Sequence, residues 1–71
     1  MKRLQLKIML EGLIATAVEK VNVLGWEDAQ DDVEKIIDVV EDLEMFWNRV
    51  LTETDWVAEI FMAVENAGGK I

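Results

Sequence analysis

The chain has no cysteine, no histidine, no proline, no tyrosine and no serine among its 71 residues. Without cysteine there is no disulfide and no thiolate-bound zinc. Without histidine the commonest metal ligand and the commonest general base are absent. Nucleophilic catalysis is left with Thr16, Thr52 and Thr54, with no histidine to activate them. No apolar run approaches the ~20 residues that span a bilayer. Gln5, Lys7 and Glu11 also break the apolar stretch that a signal peptide would need after Lys2 and Arg3. A cytoplasmic protein is the expectation. No cofactor and no metal site is expected.

Basic side chains are scarce where acidic ones are dense. Nine carboxylates lie between Glu27 and Glu44, answered by Lys35 alone, and this stretch carries the whole formal charge of -8. The remaining six acidic and six basic residues cancel. Against this charge stands a hydrophobic share of 52%. That is high for a chain this short, which buries a smaller share of its surface than a larger domain does. The pattern fits one domain, residues 1–71, with an apolar face to hide. Small scaffolds are often completed by a disulfide, a metal or a partner subunit. With disulfides and thiolate-bound zinc excluded and histidine absent, a homodimer is expected.

Helical periodicity is clearest from about residue 28 to 50. Ala29, Val33, Ile36, Val40, Leu43, Trp47 and Val50 recur at spacings of three and four and define one apolar face. Glu27, Asp31, Glu34, Asp38 and Glu41 fall on the opposite face. Asp28, Asp31 and Asp32 in the first turn, with Arg49 near the end, suit the helix dipole. A shorter helix is expected over about 54–67, with Trp56, Ile60, Ala63, Val64 and Ala67 on one face. Thr52 and Asp55 before it resemble a capping box, with Leu51 and Trp56 at the staple positions. Gly25 suits a position just past a helix end, and Gly68-Gly69 closes the last segment.

The first segment, about 2–24, admits two readings. As a helix it aligns Leu6, Leu10, Leu13, Ala17, Val21 and Leu24, and leaves Leu4, Ile8 and Ala15 as a second, weaker patch. As a strand over 3–10 it alternates, with Arg3, Gln5 and Lys7 facing outward. No capping residue lies between Ile8 and Leu13 to start a new helix, so the continuous helix is favoured. The expected fold is therefore all-α: two long helices and a short third, completed by homodimerisation. Leu6, Leu10, Leu13, Val33, Ile36, Val40, Leu43, Trp47, Trp56 and Ile60 are the expected core or dimer residues.

Three functional readings follow. The favoured one is a non-enzymatic interaction protein that binds a basic protein surface through Asp31, Glu34, Asp38, Glu41 and Asp42. A small regulator or inhibitor, such as those encoded by phages and mobile elements, fits its size and charge. Like charges three and four apart on a helix repel, and an ordinary solvated face would intersperse lysines. The bland alternative is that the acids only keep a small apolar domain in solution. In the second reading the strand alternative resembles the ribbon-helix-helix DNA-binding domains over about residues 2–45. That resemblance implies a dimer whose Arg3, Gln5 and Lys7 read the major groove. Glu27, Asp28, Asp31 and Asp32 would then stand where phosphates approach, so direct nucleic-acid binding is not expected. The third reading is a Mg²⁺-dependent hydrolase, because all-α nucleotide pyrophosphatases hold Mg²⁺ with carboxylates on facing helices. It would require these acids to turn inward.

Overall fold

The computed structural model describes residues 3–46 and 55–70 of the chain. Its elements are α1 (Arg3–Leu24), α2 (Trp26–Phe46) and α3 (Trp56–Asn66). Residues 3–10 form the first turns of α1 and are not a strand. The alternation there has a helical explanation: Leu6 and Leu10 face the core one turn apart, while Leu4 and Ile8 lie on the outer side, 66% and 62% exposed.

A single residue joins α1 to α2. Gly25 has φ of 80°, the left-handed conformation that glycine adopts without a Cβ penalty. Its N–H donates to the Val21 carbonyl at 3.0 Å and closes α1, and its own carbonyl accepts from the Ala29 N–H at 3.0 Å and opens α2. Thus α2 begins at Trp26, two residues before the expected start at Asp28, and its first-turn acids are Glu27 and Asp28. Asp31 and Asp32 lie one turn further on. Lys20 of α1 reaches Asp32 of α2 at 3.5 Å across the corner.

The core is built from all three helices. Leu6, Leu10, Ala17 and Val21 of α1 meet Ala29, Val33, Ile37 and Val40 of α2 and Trp56, Ile60 and Val64 of α3. Leu13, Ile36 and Leu43 are half-buried at the margin. Leu24 lies largely outside the core at 45% exposure. Ile37, rather than Ile36, takes the buried position. Because α2 packs against both α1 and α3, its apolar arc is wider than the seam of a simple hairpin. Of the residues expected in the core or dimer contact, Leu6, Leu10, Val33, Val40, Trp56 and Ile60 are buried within the single chain. Trp47, Val50 and Arg49 fall outside the described residues.

Helix α3 starts later than expected. Asp55 is its N-cap, in extended backbone conformation, and its Oδ1 accepts the Ala58 N–H at 3.0 Å. The expected capping residue Thr52 and the staple residue Leu51 lie outside the described residues. At the other end Ala67 is the C-cap. The Gly68 N–H donates to Glu65 and the Gly69 N–H to Val64, at 3.0 and 2.8 Å. This is the paired hydrogen bonding of a Schellman turn. Gly69 is also a packing requirement. A methyl group added there would run into Val64 Cγ1 and come within 3.0 Å of the Val64 carbonyl and 3.2 Å of the Trp26 ring.

These environments sort the glycines. Gly25→Ala places a side chain at positive φ and is expected to cost about 1–2 kcal/mol of stability. Gly69→Ala overpacks a closed turn, for a loss of about 1–3 kcal/mol. Gly12→Ala replaces a glycine in an exposed helix interior, where an added Cβ meets nothing within 4 Å. It is expected to gain about 0.5–1 kcal/mol. Urea unfolding at low protein concentration should give this order.

Candidate functional site

The outer face of α2 follows directly from its inner one. With Ala29, Val33, Ile37 and Val40 turned to the core, the positions half a turn away point to water. Glu27, Asp31, Glu34, Asp38, Glu41 and Asp42 occupy those positions, and all are exposed. They span roughly 23 Å of helix at 1.5 Å per residue. Successive members three or four residues apart have Cβ atoms about 5–6 Å from one another. The five expected partner-binding residues, Asp31, Glu34, Asp38, Glu41 and Asp42, thus share one side of the molecule. None of them is turned into the core.

Neutralisation of this row within the chain is slight. Lys35 is exposed on the same helix. Lys20 is spent on Asp32, at the edge of the face. Gln30 Nε2 donates to Glu34 across 3.5 Å, a long and weak contact. Among the described residues no group of three carboxylates is gathered closely enough to hold a metal ion. The inward convergence that a Mg²⁺-dependent hydrolase needs is not formed by Asp31, Asp38 and Glu41.

Glu44 has a different role, and its place in the acidic run hides it. Its Oε2 accepts the Trp56 N–H at 2.7 Å and the Val57 N–H at 3.1 Å. These are orphan donors of the first turn of α3. Together with Asp55, Glu44 supplies the carboxylates that the positive end of a helix dipole favours. A residue in the last turn of α2 thereby holds the start of α3 across an intervening segment. Charge-assisted bonds of this kind are stronger than neutral ones. Beside it, Glu41, Glu44, Met45 and Val57 line a shallow hollow of about 360 Å³. Met45, 77% exposed, forms an apolar end to the acidic row.

Among the described residues no helix is long and apolar enough to cross a membrane. No protein-family model, curated protein or solved structure matches this chain.

The two classes of carboxylate should separate on substitution. Glu44→Ala leaves two N–H groups at the α3 terminus without their acceptor and is expected to destabilise the fold by about 1–3 kcal/mol. Glu41→Gln, one turn earlier on the same helix, removes only a like-charge neighbour. It should change stability by less than about 0.5 kcal/mol. Thermal unfolding of the two variants beside the unmodified chain checks the assignment.

Proposed function

We propose that the protein is a non-enzymatic interaction module that offers the outer face of α2 to a basic protein surface. The observation that carries this reading is the uninterrupted row Asp31, Glu34, Asp38, Glu41 and Asp42. It is exposed along its length and opposed only by Lys35 on its own helix. The repulsion stored in such a row destabilises the free helix by tenths of a kcal/mol per pair. A cationic partner relieves it. The hollow between Glu41, Glu44, Met45 and Val57 suits the aliphatic stem and charged head of an arginine or lysine, which pack and pair at once.

Mechanistically, the charge works at two ranges. At a distance the row steers a basic surface toward α2, within the ~8 Å screening length of physiological salt. At contact, carboxylates on a preformed helix accept hydrogen bonds from guanidinium or ammonium groups with little ordering of their own backbone. Such a protein acts by occupying its partner's cationic surface, as a small regulator or inhibitor does.

Asp38→Lys with Glu41→Lys tests the reading directly. The double reversal removes like-charge contacts, so helical content and thermal stability are expected to hold or rise slightly. Capture of basic proteins from a host lysate by the immobilised chain should fall at least about tenfold. Partners retained by the unmodified chain should elute as salt is raised toward roughly 0.5 M, where screening is strong. Capture that survives both the double reversal and high salt would refute the proposal.

A further inference from the structure

The surface of α1 turned away from α2 and α3 carries a second pattern. Leu4, Ile8, Glu11, Ala15 and Val18 follow one another at alternating spacings of four and three, the repeat of a helix seam that packs against another helix. Leu4, Ile8 and Ala15 are exposed and Val18 is half-buried. Gly12 adjoins this stripe. Nothing within one chain lies near enough to require a glycine there, and glycine weakens a helix interior relative to alanine. A second helix passing close by would give the missing side chain a use.

Charge selects the occupant. On α1, Lys7 and Glu11 pair at 3.7 Å, and over Arg3–Leu24 three basic residues, Arg3, Lys7 and Lys20, stand against two acidic ones, Glu11 and Glu19. The outer face of α2 is acidic, and α3 carries Glu59 and Glu65 with no basic residue between Trp56 and Asn66. Two copies bearing -8 each therefore meet like charge on approach through either of those faces, whereas α1 is near neutral and carries no excess of acid.

We propose that the Leu4–Ile8–Ala15 face of α1 binds a second copy of the chain, with the two α1 helices antiparallel. This inference rests on the fold of α1 and not on the acidic-face reading of α2. The direction follows from Lys7 and Glu11, which lie one turn apart. Parallel and in register, each would face its own copy. Antiparallel, with the two-fold axis between Met9 and Leu10, Leu4 lies across from the partner's Ala15 and Ile8 from the partner's Glu11, which brings Lys7, one position away, within reach of that carboxylate. The partner's Gly12, next to that Glu11, leaves room beside Ile8. One helix face falls short of the ~800 Å² per partner of a stable interface. The dimer is accordingly weak and reversible.

Sedimentation equilibrium of the whole 71-residue chain, from micromolar to near-millimolar concentration, provides the test. The weight-average mass is expected to climb from 8.1 kDa toward twice that value. Ile8→Glu alters an exposed position, so circular dichroism should show an unchanged helical fold, while the mass stays monomeric throughout. Lys7→Glu should weaken association about three- to tenfold, and Lys7→Glu combined with Glu11→Lys should restore it. A mass that remains at 8.1 kDa at the highest concentration overturns the proposal. So does association that is indifferent to Ile8→Glu. Failure of the charge swap to restore pairing overturns the antiparallel arrangement. None of these outcomes bears on capture of basic proteins by α2.

Discussion

A one-residue corner at Gly25 governs the arrangement of this small protein. Because the same glycine ends α1 and begins α2, no slack remains to rotate one helix relative to the other. The phase of α2 against α1 is fixed at the turn, where Val21 and Ala29 are both buried, and the second helix is sent back along the first. Everything outward-facing follows from that phase. Had the corner been longer, Ile36 or Ile37 could have led the seam with modest repacking, and the acidic row would have turned with it. The molecule measures 34 × 18 × 17 Å, little longer than the two hairpin helices that set its long dimension.

Around this hairpin the two kinds of surface are kept apart. The carboxylates gather on the water side of α2, and the exposed aliphatic groups Leu4 and Ile8 lie on α1, which has no excess of acid. Docking α3 draws on both inventories. Its apolar stripe, Trp56, Ile60 and Val64, fills the groove between the long helices, and its first turn is held by Glu44. The acidic segment is therefore not one uniform feature. Asp38 and Glu41 face water, while Glu44 is committed to the fold.

Much of this architecture was legible from residue spacing. The helical face of Ala29, Val33 and Val40, the opposing Asp31, Glu34, Asp38 and Glu41, and the glycine after the first helix all follow from 3.6-residue periodicity and backbone preference. What escaped sequence reasoning depended on neighbours distant in the chain. The start of α2 at Trp26 required knowing that Gly25 serves two helices at once. Burial of Ile37 reflects α3 widening the packed arc, which no pattern within α2 reveals. Asp55, read from spacing as the partner residue of a capping box, is itself the N-cap of α3. Glu44 was indistinguishable from eight other acids until its hydrogen bonds to Trp56 and Val57 were seen. The readings of residues 3–10 as strand or helix were separated by the exposure of Leu4 and Ile8 beside the burial of Leu6 and Leu10.

The closing turn at Gly68-Gly69 gives the molecule a built-in optical gauge. It seats the tail of α3 against the half-buried ring of Trp26, while the head of α3 begins at the buried Trp56. Two indoles thus stand sentinel at opposite ends of the shortest helix, one belonging to it and one to its neighbour. Detachment of that helix from either end would wet a different chromophore. Ultraviolet emission from singly retained tryptophans could therefore tell fraying at the head from fraying at the tail, without any added label.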